Sequence, residues 1–425
     1  MIRLVEALGF RSLNYIRRPL DRFQVLVGPN ASGKSTFLGA IDLMGKLVDA
    51  PRDISQPLRE LSGNFRDLTF MRGGTPPRFE LAIEATIPDH LRPEDDNGDR
   101  NGPEWVRYEV ALGEADASGV VSVIAENLWL RSASDEEPSW SQRSLFPEPP
   151  RAPEHLTHQE RTRAPKGWRK VVSKTASNDY FIAETSGWNA PFNFGRTRLA
   201  LANLPEEESR FPVAVWFRRL LTRGIQRLEL SSDAIRRPSP PGSPTEFRPD
   251  GSNLPWVLER FRAEKPADFE RWLAHVRTAL PDVTGIDTVE RQEDRHRYLR
   301  LTYRTRLQAP SWAVSDGTLR LLALTLIPYL DIPDGVFLIE EPENGIHPQA
   351  VETIFQALSS TDDCQILCAT HSPVLLSLAV PEQVLCFART DSGATDIVRG
   401  DQHPKLAQWK RGTDLGTIFA AGILG

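Results

Sequence analysis

The chain is 425 residues long, 40% apolar and 25% charged, with 51 basic against 57 acidic side chains and a formal net charge of −6. That length allows two or three domains and a large core, and the acidic balance excludes a protein drawn to nucleic acid by bulk charge, so DNA contact must come from local patches. The opening MIRLVEALGF has no basic segment leading into a long apolar run, and no later stretch of about 18 apolar residues could span a bilayer. A cytoplasmic protein with no membrane partner is expected. Cys364, Cys368 and Cys386 lie in apolar runs without disulfide-framework or zinc-ribbon spacing, which predicts buried, reduced thiols.

In chain order, residues 2–8 and 23–28 read as strands joined by a turn containing Arg17-Arg18-Pro19. Arg11, between them, is either an exposed arginine at a strand end or a contact for a bound base or phosphate. The run Phe23 to Leu38, FQVLVGPNASGKSTFL, then passes from an apolar strand through a glycine-rich loop into a helix. Gly28-Pro29-Asn30-Ala31-Ser32-Gly33-Lys34-Ser35 fits G-x-x-x-x-G-K-[ST] in the context that pattern requires. Gly28 and Gly33 permit the turns that let successive N–H groups wrap a phosphate, and the helix N-terminus adds a favourable dipole. Asn30, Ala31, Ser32 and Thr36 complete the cradle. Lys34 would place its ammonium between β- and γ-phosphates, and the Ser35 hydroxyl would supply one ligand to Mg²⁺.

Apolar residues at helical spacing run from Ser35 to Val48, until Pro51 and Pro57 end the pattern. The segments 79–87, 105–113 and 120–131 alternate and are β-rich, predicting an antiparallel sheet beside the nucleotide lobe. Residues 89–104 and 132–167 are polar and read as loops. His155 and His158 form H-x-x-H there without a helix or carboxylate partner, so no metal site is expected. The stretch 161–174, RTRAPKGWRKVVSK, reads as a solvated loop or as a patch that grips phosphates and stacks on a base. A strand at 178–184, a helix at 211–223 and a strand at 225–231 precede the breaker at 236–242. Two amphipathic helices follow, 254–263 and 266–280, then strands near 283–290 and 297–306 with an arginine-rich segment, 291–306. No sustained heptads predict a coiled-coil arm.

Ser315-Asp316-Gly317-Thr318 precedes an apolar helix at 319–330, as either an anion site or a plain N-cap. In GVFLIEEPEN (335–344), four apolar residues suit a strand buried on both faces, and two carboxylates emerge at its C-terminal end, where α/β sheets bind ligands. Glu340 is placed to hold Mg²⁺, and Glu341 to orient and deprotonate an attacking water. Another buried strand, in QILCATHSP (365–373), ends on His371, a candidate hydrogen-bond partner of the γ-phosphate. A strand pair from 383 and a small-residue tail, DLGTIFAAGILG, close the sequence.

Together GPNASGKST, VSDGTLRLLAL, FLIEEPENGIHP and CATHSPVLL, in this order from Phe10 to Leu376, resemble the Walker A, signature, Walker B with D-loop, and H-loop of ABC-type ATPases. The branch resembled is that of RecF-like, SMC-like and OLD-like heads rather than transporters. The resemblance implies an α/β fold: an ABC-type P-loop NTPase head with a mostly parallel core sheet, an antiparallel β subdomain and an α-helical signature lobe. It implies lobes at 1–88, 89–230, 231–310 and 311–425, and ATP with Mg²⁺ as cofactors. It further implies a homodimer sandwiching two ATPs, in which Ser315 and Gly317 reach the partner's γ-phosphate and Asn344, Gly345 and His347 form the D-loop across the interface. Glu340 stands where most ABC proteins have Asp, and SDGT replaces the commoner LSGGQ. No Q-loop glutamine is evident; Gln56, close behind the Walker helix, is not assigned. Roughly fifty residues follow the H-loop, too few for an appended nuclease domain, so a nuclease or toxin effector is expected on another polypeptide. The expected role is the sensor or motor subunit of a prokaryotic anti-phage system. The alternatives are RecF-like DNA repair on duplex DNA, or an ATP-gated scaffold that holds a toxin or nuclease partner and hydrolyses slowly.

Overall fold

A computed structural model describes residues 1–73, 76–92, 102–114, 119–132, 144–148, 151–158, 167–175, 179–330, 332, 334–406 and 414–422. Most of 89–104 and 132–167, and the basic stretch 161–166, lie outside them. The strands of the described residues, β1 to β17 in chain order, form three sheets.

The central sheet takes β3 (Phe23–Val27), β10 (Ile225–Leu228), β14 (Val336–Glu340), β15 (Gln365–Ala369), β16 (Val384–Arg389) and β17 (Thr395–Arg399), in the order β10-β14-β15-β3-β16-β17. Neighbours run parallel except β16 and β17. The inner strands β3, β14 and β15 are largely apolar on both faces because both are covered. Val336 and Leu338 belong to one buried cluster and Phe337 and Ile339 to the other; Leu26 parts from Val25 and Val27 in the same way. Each such side chain contributes about 1.5–3 kcal/mol on burial. The sheet is thereby fixed at the centre, with its polar C-terminal strand ends gathered on one edge.

Helix α1 (Lys34–Val48) lies in the first cluster, between the central sheet and an eight-stranded antiparallel one. The latter contains β1 (Ile2–Phe10), β2 (Leu13–Pro19), β4 (Arg78–Thr86), β5 (Trp105–Glu114), β6 (Val121–Arg131), β7 (Trp168–Lys174), β8 (Asp179–Ile182) and β9 (Asn189–Pro191), ordered β2-β1-β4-β5-β6-β7-β8-β9. It takes strands from both sides of residue 88, and β10 belongs to the central sheet. Two sequence expectations are corrected here. Arg17-Arg18-Pro19 is the end of β2, not a turn, because Arg17 pairs with Glu6 and Arg18 with Asp396 on neighbouring strands. The described part of 161–174 is β7 rather than a loop. Its Lys174 ammonium is held by the carbonyls of Gly195 and Arg198, Lys170 lies over the Trp129 ring, and Trp168 is covered by Arg131.

His155 and His158 each meet a carboxylate that the local sequence did not reveal. His155 Nδ1 is 3.0 Å from Glu80, and His158 Nδ1 is 2.9 Å from Glu109. The pair thus pins residues 155–158 to the sheet on two separate acids. Burial alone would raise Glu109, but Arg107 and His158 hold it down at about 2.

Helix α2 (Ser55–Leu61) follows α1, and α3 (Pro212–Arg219) leads through a wider π turn into β10. The second cluster is helical: beyond the short α4 (Ser232–Arg236), it packs α5 (Leu254–Glu264), α6 (Pro266–Ala279), α7 (Asp316–Leu326) and α8 (Pro348–Ser359). Sequence reasoning assigned α8 no element. Beside these helices lies a three-stranded antiparallel sheet of β11 (Val283–Glu290), β12 (Arg297–Tyr303) and β13 (Gln308–Pro310). Helices α9 (Pro373–Leu378) and α10 (Leu415–Ala420) pack on each other at the C-terminal end. The three cysteines are free and buried, and burial pushes all three thiols up. No described helix is long and apolar enough to cross a membrane.

Candidate nucleotide-binding site

Between β3 and α1 the chain turns through Gly28 (φ 149°), Ala31 (φ 61°) and Gly33 (φ 107°). The two glycines are required by space as well as conformation. A Cβ on Gly28 would lie 2.2 Å from the Phe387 carbonyl oxygen, and one on Gly33 would lie 2.2 Å from Thr395 Oγ1. Thr395, at the start of β17, places that oxygen 2.9 Å from both the Ser32 carbonyl and the Ser12 hydroxyl, so the C-terminal strand pair clamps the loop. Sequence reasoning missed Thr395, since nothing local ties it to a motif some 360 residues earlier.

A cleft of about 680 Å³ opens over this loop. It is lined by Arg11, Asn30, Ala31, Ser32, Gly33, Lys34, Ser35, Thr36, Glu340, Glu341 and His371, with the 67–72 segment and Arg389 at its rim. Eleven of the residues expected from sequence therefore meet in one place, and Gly28 lies directly beneath, its carbonyl accepting from Lys34 Nζ at 2.7 Å. Lys34 also reaches the Pro29 carbonyl at 2.9 Å. Burial lowers its pKa to about 8, against the pull of Glu340 and Glu341. Ser32 Oγ is buried with no hydrogen-bond partner. A buried hydroxyl without a partner, an ammonium resting on loop carbonyls and a helix N-terminus together fit a bound phosphate. The Ser35 hydroxyl donates to Glu340 Oε2, so two hard oxygens meet at the side of the cradle, the donor set that suits Mg²⁺.

Arg11 occupies the turn between β1 and β2 with φ 49° and donates to the Leu61 carbonyl. Burial, and then its neighbour Arg227, lowers its pKa. Arg227 itself, on β10, donates to Glu340 Oε1 at 2.5 Å, a contact the sequence did not disclose.

Glu341 follows β14 with φ 47° and is tied by its N–H to the Ala369 carbonyl. A non-glycine residue there stores about 1–3 kcal/mol of strain, which surrounding structure must hold. Glu343, given no role from sequence, accepts from the Thr370 hydroxyl at 2.6 Å and from the His371 N–H at 3.2 Å. It fastens the end of β15 to the turn after β14. His371 is kept neutral at pH 7: burial and then Lys34 lower its pKa, against Glu341 and Glu343.

Ser315, Gly317 and Asn344 do not line this cleft. Ser315 caps α7, its oxygen accepting from the Thr318 N–H, while Asp316 pairs with Arg236. Gly317 abuts the 343–346 turn so closely that a Cβ would lie 2.4 Å from the Gly345 carbonyl. Asn344 donates its N–H to the Glu341 carbonyl, and His347 caps α8. Gln56 pairs with Glu60 on the exposed face of α2, away from the cleft. In the arginine-rich segment, Arg291 pairs with Asp294, Arg295 with Glu290, Arg297 with Glu259 and Glu290, and Arg300 with Asp287.

Fold and loop define an α/β protein of the P-loop class. Residues 23–377 match the family described as "AAA domain, putative AbiEii toxin, Type IV TA system", and the chain belongs to that family. No curated protein matches the sequence. Among solved structures, the chain is similar to an Smc head bound to the C-winged helix domain of ScpA, with 16% identity, a TM-score of 0.51, and 93% of this chain and 96% of that one covered. It is also similar to the Pyrococcus furiosus Smc head with an extended coiled coil bound to the ScpA C-terminal domain (12%, TM-score 0.49, 96% and 98% covered). The SMC head from Thermotoga maritima follows (12%, TM-score 0.42, 94% and 98%). The first of these similarities speaks for the fold, an SMC-head-like α/β architecture.

Proposed function

We propose that the chain is a Mg²⁺-dependent ATP hydrolase: a head that pairs with a second copy across two ATPs and serves as sensor or motor subunit of a prokaryotic DNA-defence system. The observation that carries the biochemical part is the meeting of Ser35, Glu340 and the Lys34 cradle in one cleft, with Glu341 held beyond the strand end. Mg²⁺ held through Ser35 and Glu340 would neutralise charge on the transferring phosphoryl group. Lys34 and the loop N–H groups bind and orient the β- and γ-phosphates. Glu341 orients the attacking water and takes its proton. The neutral His371 imidazole has an N–H to donate to a γ-phosphate oxygen.

The trans role of Ser315, Gly317 and Asn344 is supported by their place outside their own chain's cleft. Ser315→Arg is therefore expected to leave ATP affinity within about twofold of wild type while blocking the ATP-dependent dimer, because a guanidinium replaces a small cap at the proposed contact. Light scattering with ATP checks this, and a persisting dimer would argue against the trans contact.

The defence role draws its support from the family, described as a putative AbiEii toxin of a Type IV TA system, and a separate partner polypeptide from the similar Smc head that is bound to the C-winged helix domain of ScpA. Steady-state ATPase rate with and without duplex DNA, with Glu341→Gln as blank, tests the sensor reading. Stimulation of several-fold that vanishes in the mutant is the expected result. The ion pairing of Arg291, Arg295, Arg297 and Arg300 favours a second reading, an ATP-gated scaffold that turns over slowly whatever the DNA and responds to a protein partner.

A further inference from the structure

The Glu340 carboxylate has two oxygens, and each has its own partner. Oε2 receives the Ser35 hydroxyl from the first turn of α1, and Oε1 receives the Arg227 guanidinium from β10. The topology makes this possible. β10 is the edge strand of the central sheet and runs parallel to β14, with Arg227 level with Leu338, two residues before Glu340. A side chain starting there extends along the strand direction and reaches Glu340 from the side away from β15. Lysine would reach with a point charge, whereas the planar guanidinium fixes direction as well as distance.

A bare ion pair at a sheet edge would explain the contact if both groups were freely solvated. They are not: Arg227 and Glu340 side chains retain 27% and 29% of their exposure, and Arg227's other acid, Glu229, is 3.9 Å away and largely exposed. The short contact is thus the one to Glu340. Left alone, that carboxylate could turn about its terminal torsion, which is broad. With Oε1 held, Oε2 is aimed at Ser35 Oγ, the other candidate metal ligand.

We propose that Arg227 is a positioning residue for the metal: by holding Glu340 Oε1 it leaves Oε2 directed at the Mg²⁺ seat beside Ser35. This rests on the Mg²⁺-ATP reading above and deepens it. Outer partners of ligating carboxylates commonly alter metal affinity 10–100-fold when removed. Arg227 itself does not line the cleft, so nucleotide affinity without metal is expected to be independent of it.

The test is titration of a fluorescent ATP analogue into the full chain, first in EDTA and then across a Mg²⁺ series, for wild type, Arg227→Ala and Arg227→Lys. Lys34→Ala serves as the nucleotide blank. In EDTA, Arg227→Ala is expected to bind the analogue within about twofold of wild type. The Mg²⁺ concentration for half-maximal tightening is expected to rise on the order of tenfold, with Arg227→Lys between the two. A merely structural ion pair would lower the melting temperature and leave the Mg²⁺ midpoint unmoved, and an unmoved midpoint in both variants overturns the proposal. A large loss already present in EDTA also overturns it, since it places Arg227 on the nucleotide. Equal binding by wild type and Lys34→Ala would instead remove the ATP reading itself. Should Arg227→Ala fail to fold, Arg227→Lys keeps the midpoint comparison decisive.

Discussion

Replacing Lys34 by alanine is expected to abolish measurable ATP binding while leaving the fold intact. The ammonium reaches into the loop and rests on the Gly28 and Pro29 carbonyls, which it can leave when phosphate oxygens present a better charge match. Truncating one partner of a buried charge pair costs about 2–5 kcal/mol, tens- to thousands-fold in affinity. Isothermal titration with ATP and Mg²⁺ measures it; tight binding by the variant would refute the P-loop assignment. The same group predicts a pH dependence. Burial lowers the Lys34 pKa to about 8, and phosphate would raise it on binding, so ATP binding takes up a proton above pH 8. Affinity is therefore flat from pH 6.5 to 7.5 and falls above 8, by up to about tenfold per unit while the free lysine is neutral and the bound one charged. In Lys34→Ala any residual binding should lose that slope.

Elements whose chemistry is local could be read from the sequence, and those fixed by distant partners could not. Strand β14 announced itself by Val336 to Ile339 because both of its faces are covered, and the loop from Gly28 to Ser35 because its backbone needs glycine at fixed places. Glu340, Glu341 and His371 follow, being the polar residues that such strands deliver to one edge. Arg227, Thr395 and Glu343 brace that cleft from outside its lining, yet each lies in an unremarkable context; only the order β10-β14-β15-β3-β16-β17 brings them in. The basic strand β7 misled for a related reason. Its charges look solvated in one dimension, but carbonyls, an aromatic ring and neighbouring strands absorb them in three. The same holds for Arg17 and Arg18, which seemed to mark a turn and instead answer acids on β1 and β17.

The second large effect concerns Glu341. Glu341→Gln is expected to bind Mg²⁺-ATP as wild type does and to hydrolyse it about 10²–10⁴-fold more slowly, the usual contribution of a positioned general base. Glutamine keeps the size and the hydrogen-bonding oxygen but cannot take a proton. The strained φ of 47° belongs to the backbone, where the Ala369 and Asn344 bonds hold it, so the variant should retain the geometry of the turn. A head that binds but does not hydrolyse should then accumulate in the closed state, because ATP favours that state only through contacts made within it, and hydrolysis no longer removes them. Single-turnover hydrolysis and light scattering with ATP measure the two consequences separately. Normal turnover would transfer the base role elsewhere, with Glu343 unsuited because it does not line the cleft and its Oε1 is held by Thr370 and the His371 N–H. Slow turnover without a dimer would keep Glu341 as base and reject the ATP sandwich. That division places the catalytic claim on this chain's own cleft and the assembly claim on Ser315, Gly317 and Asn344, which that cleft does not contain.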